Sequence, residues 1–243
     1  MLEGLRARAR AYSPRRAADA ELGEAYRIIR TNLMVALEGI DNPVVLFTSA
    51  NEGEGKSSTV ANLAPVMALA SQRVVVVDVD LRNPDVHHAF GLPNERGFAD
   101  VVRGDAELDE CLQYVGLKTP DGEPERGLYV LTSGPPPANP AELLSSRRAA
   151  RLFEALAGQA DIVLVDSPPV LAVADSLVLA RLVSGVVLVV EARRTPIPAI
   201  KQAKDALTRN QARLLGVVVS KVQASDMANS EFGSTGSYGY AYG

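Results

Sequence analysis

Six runs rich in valine, leucine and isoleucine recur along the chain, at residues 44–50, 73–80, 128–134, 161–168, 185–192 and 214–222. Apolar positions within them are continuous rather than alternating, the pattern of strands covered on both faces. Between them, residues 56–71, 172–182 and 197–209 place apolar side chains at helical spacing, and a further helix is expected over about residues 18–37, ahead of the first strand. This alternation predicts an α/β fold, a mostly parallel sheet with helices on both faces. One apolar stretch, residues 170–190, is long enough to suggest a membrane span. It contains Asp175, Arg181 and a Ser184-Gly185 break, so a buried helix followed by a buried strand accounts for it better.

Between the second and third of these runs the pattern loosens, and Asn83-Pro84, Gly91-Leu92-Pro93 and "KTPDGEPERG" are turn signals. In "GPPPANPAELL", Asn139 stands where a helix cap belongs, Pro140 suits the first helical position, and Glu142 occupies the capping-box place. The paired His87 and His88, with a single cysteine in the chain, make no zinc pattern and are expected on a loop or short helix.

Composition narrows the function. With 47% hydrophobic and 22% charged residues the chain has the make-up of a soluble domain with a substantial core. A net charge of −4 argues against nucleic acid as partner. Cys111 alone permits no internal disulfide and fits a reducing compartment, and the N-terminus has no signal-peptide pattern. The first sixteen residues carry five arginines against one glutamate, so residues 1–17 are expected to be a flexible basic leader, solvated or held against acidic lipid. Residues 18–222 form the expected folded domain. Residues 223–243 form an expected flexible tail in which Tyr238, Tyr240 and Tyr242 alternate with Gly and Ala.

The strongest chemical signal is "SANEGEGKSS". Ala50 to Ser57 has P-loop spacing, directly after an expected strand and before an expected helix. Glu52, Gly53, Glu54, Gly55, Lys56, Ser57 and Ser58 are the expected nucleotide-binding residues. The glycines let backbone N–H groups converge on phosphate oxygens, Lys56 brings positive charge to the β- and γ-phosphates, and Ser57 is placed to ligate Mg²⁺. Asp78 and Asp80 end the second run and Asp166 a later one. Ligands of a parallel sheet lie beyond the carboxyl ends of its strands, so all three carboxylates are expected beside the P-loop. Ser57, Asp78 and Asp166 are the expected metal ligands, and ATP with Mg²⁺ the expected cofactors.

"VVVVDVDLRNP", a hydrophobic run followed by D-x-D-x-R, resembles the second acidic motif of the bacterial tyrosine kinases (BY-kinases) of capsule and exopolysaccharide biosynthesis. "EAYRIIRTNL" is similar to that family's E-x-x-R-x-x-R oligomerisation motif, with Glu24, Arg27 and Arg30 in the three places. "SGPPPANPAELLSS" and "DIVLVDSPPVLAVAD" resemble two further family segments. The likeness runs in order from about residue 21 to 222, then takes in the tyrosine tail. It implies a P-loop fold of the deviant-Walker ATPase kind. It also implies autophosphorylation of Tyr238, Tyr240 and Tyr242 in trans within a homo-oligomeric ring, with Lys56, Asp78 and Asp80 catalytic. As partners it implies a membrane activator of the polysaccharide co-polymerase type, separate or fused, and an opposing tyrosine phosphatase. The implied location is cytoplasmic, at the inner face of the plasma membrane. Asp78 and Asp80 are both candidates to take the phenol proton, whose group has a pKa of about 10 in water.

Two features depart from the alternatives or from the family. A cell-division or partitioning ATPase would carry a lysine five positions before the P-loop lysine, where this chain has Asn51. The family's last strand ends in asparagine, where this chain has Ser220 followed by Lys221, which opens the question of base selectivity. A structural ATP-gated ring with little kinase activity is the reading from another class.

Overall fold

The computed structural model describes residues 10–12, 20–117 and 126–223. In chain order the elements are β1 (Arg10–Tyr12), α1 (Ala20–Ala36), β2 (Val44–Ser49), α2 (Lys56–Leu69), β3 (Val74–Asp78), α3 (Val86–Phe90), α4 (Phe98–Arg103), α5 (Leu108–Cys111) and β4 (Leu112–Leu117). There follow β5 (Arg126–Leu131), α6 (Pro140–Leu144), α7 (Arg147–Ala157), β6 (Ile162–Asp166), α8 (Asp175–Leu179), β7 (Gly185–Glu191), α9 (Ile197–Arg209) and β8 (Leu214–Ser220).

All six valine-rich runs are strands. They join β1 and β4 in one eight-stranded sheet of order β1-β4-β5-β3-β6-β2-β7-β8. Every pairing is parallel except β4 with β5. Successive residues of the central strands feed two separate cores, which is why those strands are apolar throughout. Val45, Phe47, Val74, Val76, Ile162 and Leu164 pack with Leu33 of α1, Leu37 just beyond it, and Leu63 and Met67 of α2. Leu46, Val75, Val77, Val163 and Val165 face the other way, onto Phe98, Phe153, Leu179 and Leu207 of α4, α7, α8 and α9. Among the described residues no helix is long and apolar enough to cross a membrane, and residues 170–190 hold α8 and β7.

Some local expectations change. The helix expected over 172–182 is regular only across α8, because single-turn bonds such as Ala172 N–H to Pro169 O and Leu182 N–H to Leu179 O flank it. Asn139 holds the cap position of α6, yet its side chain makes no cap bond and instead points its amide at Glu142 Oε2, 3.4 Å away. His87 and His88 lie in the short helix α3, with rings 3.9 Å apart.

Between β3 and β5 the chain is clamped onto the carboxyl edge of the sheet. Phe98 and Ala99 N–H donate to Thr132 O and Ser133 O, and Gly97 N–H donates to Asp100 Oδ2 at 2.9 Å. A methyl group on Gly97 would sit 2.1 Å from Thr132 O and 2.3 Å from Gly134 N. Backbone on both sides cannot yield as a side chain can. Gly97→Ala is therefore expected to destabilise the fold by about 3 kcal/mol, read as a lower midpoint in chemical denaturation with an unchanged slope.

Candidate functional site

The P-loop leaves β2 and enters α2 as the spacing requires. Gly53 and Gly55 take φ of 76° and 90°, and Gly55 is the helix cap. Those left-handed angles are what the two glycines supply, and a side chain at either position would be strained. Glu52, Gly53 and Ser58 are exposed and Ser57 is half-buried. Lys56, the first residue of α2, is 6% exposed. The N-terminus of a fourteen-residue helix thus faces the loop, a natural seat for phosphate oxygens.

Beside it β3 and β6 run in register, and Asp78 pairs directly with Asp166. Asp78 is fully buried. Its Oδ1 accepts from Asp80 N–H and its Oδ2 from Val86 N–H, each at 3.1 Å. Burial, followed by the charge of Asp166, pushes its carboxyl well above the ordinary range. Asp80 is raised by burial too, and is held back by the Asn83 N–H bond at 3.1 Å and by the charge of Lys56. Asp166 is fully buried, and neither carboxylate oxygen has a hydrogen-bond partner. Its carboxyl is pushed up to about 7, chiefly by burial. The charge of Lys56 and the nearby Ser57 hydroxyl pull it partly back, though Ser57 does not reach it in ordinary bonding geometry.

An orphaned buried carboxylate is costly, and a divalent cation or its bound water would satisfy it. No cluster of three His, Cys, Asp or Glu side chains is set to hold a metal among the described residues. A cation here fits Mg²⁺, which needs a hydroxyl, one or two carboxylates and phosphate oxygens.

These titrations have a stability consequence. The native state keeps protons on Asp166 and Asp78 over a pH range in which the unfolded chain has lost them. Native stability from these groups is therefore largest below about pH 4, where a free aspartate is protonated, and falls as pH rises toward about 7. Without divalent cation, native stability is expected to fall by on the order of a few kcal/mol from pH 5 to pH 8, read as a lower melting temperature. Asp166→Asn should flatten that slope, since it also relieves Asp78.

Some residues of the site carried little or no sequence signal. Arg82, the last residue of the D-x-D-x-R run, donates from Nε to Asp175 Oδ2 at 2.8 Å. The Asp175 side chain is 3% exposed, so this pair ties the loop after β3 to the start of α8. In the sequence Asp175 stood out only as a charge within an apolar stretch and as the end of "DIVLVDSPPVLAVAD", with no role in the site. Glu54 is buried, and its carboxylate accepts from Asn51 N–H, Asn51 Nδ2 and Thr195 Oγ1 at 3.1, 2.9 and 2.8 Å. Its side chain is a strut, so only its backbone is offered to a ligand.

Of the residues expected in oligomerisation, Glu24 and Arg27 form an exposed ion pair of 2.6 Å on α1. Arg30 reaches Val66 O of α2 in its own chain at 3.5 Å. Tyr238, Tyr240 and Tyr242 lie outside the described residues.

The model of the CobQ/CobB/MinD/ParA nucleotide binding domain matches residues 45–233. A tyrosine-protein kinase of Bacillus subtilis, YwqD, is 41% identical over 214 residues, 88% of this chain and 86% of the relative. The putative tyrosine-protein kinase EpsB of Ralstonia solanacearum is 34% identical over 94% of this chain, which spans only 28% of that longer protein. The solved kinase domain of the Escherichia coli tyrosine kinase ETK superposes with a TM-score of 0.76 at 28% identity, covering 96% of this chain and 88% of that one.

Proposed function

The chain belongs to the bacterial tyrosine-protein kinases of the CobQ/CobB/MinD/ParA nucleotide-binding family, and on that premise we propose that it phosphorylates Tyr238, Tyr240 and Tyr242 of neighbouring copies from ATP. The observation that carries the reading is Asp166, buried and unpartnered beside Lys56 of the P-loop, with Asp78 in register with it on the neighbouring strand.

The backbone N–H groups of residues 52–57 and the Lys56 ammonium hold the β- and γ-phosphates. Ser57 and Asp166 would hold Mg²⁺, with Asp78 beside them, and the cation neutralises charge on the phosphate oxygens when bound. The tyrosine oxygen bonds to the γ-phosphorus as the bond from that phosphorus to the β–γ bridging oxygen breaks, and ADP departs. Asp80 takes the phenol proton: both oxygens of Asp78 already accept backbone N–H groups and Asp78 is fully buried, whereas Asp80 keeps some exposure.

Glu24 and Arg27, exposed on α1, supply the intersubunit contact of a ring, and a membrane activator of the co-polymerase type holds that ring at the inner face of the membrane. EpsB, of which this chain spans only a part, is consistent with an activator joined to the kinase in some relatives. An opposing phosphatase resets the tail, and the cycle controls polysaccharide polymerisation and export. The organisation that accompanies this reading is a basic leader over residues 1–17, a kinase domain over 18–222 and a substrate tail over 223–243. The test is incubation of the chain and of a version ending at residue 223 with Mg-ATP, each probed for phosphotyrosine. Equal labelling of the two would refute the tail as acceptor.

A further inference from the structure

A P-loop turns its N–H groups inward on the phosphates, which leaves its carbonyls outward and in need of donors. Here those donors come from the end of β8 and the residue after it. Lys221 Nζ donates to Gly53 O at 2.7 Å, and Ser220 Oγ donates to Glu54 O at 2.6 Å. The Lys221 ammonium is held in place by Glu191 Oε2 at 2.9 Å, and Arg194 lies against the same carboxylate at 3.3 Å. Lys221 adopts φ 54°, a left-handed backbone that is costly outside glycine. On the side-chain side, Thr195 Oγ1 donates to Glu54 Oε1 and accepts from Glu191 N–H, both at 2.8 Å. The loop also closes sterically on this support, since a Cβ on Gly55 would lie 3.2 Å from Ser220 Oγ.

We propose that Ser220, Lys221 and Thr195 are positioning residues that brace the P-loop from outside and preset it for a nucleotide polyphosphate. This rests on the reading of the loop as the nucleotide site. The positions at the end of β8 thus act through the loop carbonyls rather than on the base. A preset loop loses less freedom on binding, so removing a donor loosens every ligand that uses the loop.

The test is competition against a fluorescent ADP analogue with Mg²⁺ present, on the full chain and on Lys221→Met, Ser220→Ala and Thr195→Val, with melting temperatures taken alongside. Lys221→Met is expected to weaken ADP and ATP by the same factor, about tenfold, for the loss of one charge-assisted bond. Ser220→Ala and Thr195→Val should weaken both by smaller, equal factors, while adenosine competes as before. Amide exchange at residues 51–57 should quicken in the ligand-free variants. If Lys221→Met does not fold, the two milder variants carry the same comparison. Unchanged ADP and ATP binding would overturn the brace. A loss confined to ATP would overturn it in favour of direct contact with the γ-phosphate, and a loss shared by adenosine in favour of base contact. Failure of the unsubstituted chain to bind either nucleotide would instead remove the nucleotide reading itself, and the brace with it.

Discussion

Lys56→Met is expected to lower the rate of phosphotyrosine formation by about 10²–10³-fold, the usual cost of removing one preorganised group that stabilises charge in the transition state. Lys56 is almost wholly buried at the start of α2, so its ammonium acts where water screens it little. It also lowers the carboxyls of Asp80 and Asp166. Methionine keeps most of the unbranched side chain and removes the charge. Two losses then coincide: the phosphates lose their cation, and Asp80 and Asp166 lose the positive neighbour that favours their ionised forms. Labelling with Mg-ATP at several protein concentrations, beside a nucleotide titration, separates lost binding from lost transfer. A variant that labels at the parent rate would remove Lys56 from the chemistry.

The second large effect is expected from changing Tyr238, Tyr240 and Tyr242 together to Phe. The chain has seven tyrosines, and three of the other four are poor acceptors. Tyr114 and Tyr129 are 4% and 6% exposed, with rings 5.2 Å apart across the β4–β5 pair. Their hydroxyls cannot enter a neighbour's site without unfolding that pair. Tyr26 packs against the core that α1 and α2 share. Phosphotyrosine should therefore fall to background in the triple variant while nucleotide binding stays intact. Peptide mass spectrometry that finds the label undiminished at Tyr12, Tyr26, Tyr114 or Tyr129 would contradict the tail as acceptor.

Much of this was legible in the chain itself, for physical reasons that differ by element. Five of the six strands announced themselves because burial on both faces demands unbroken apolar runs, whereas β8, expected to be covered in the same way, lies at the sheet edge and leaves Val217 and Val219 exposed. The P-loop was legible because its glycines and Lys56 follow from the geometry of a phosphate seat. The strand β4 was not: it is interrupted by Gln113 and Gly116, and its antiparallel pairing with β5 depends on distant partners rather than local pattern. Likewise β1, three residues within an arginine-rich segment, owes its existence to the edge of β4. The carboxylates were placed correctly at strand ends, yet their inequality was invisible. Asp78 is satisfied by two backbone donors and Asp166 by none. Sequence position alone does not reveal which N–H group a folded loop will aim at a carboxylate. The same holds for Asp175, which becomes a site residue only because α8 brings it to Arg82. Ser220 and Lys221 read as a departure until the folded chain showed their hydrogen bonds to Glu54 and Gly53.

The central claim is transfer between copies, and a mixture tests it most directly. A Lys56→Met chain with its three tail tyrosines is combined with a catalytically intact chain carrying Phe at positions 238, 240 and 242. The two are distinguished by mass and incubated with Mg-ATP. The account predicts phosphate on Tyr238, Tyr240 or Tyr242 of the Lys56→Met chain, accumulating faster as the intact partner is added. An unlabelled Lys56→Met chain, under conditions where the unsubstituted protein labels itself, would contradict it.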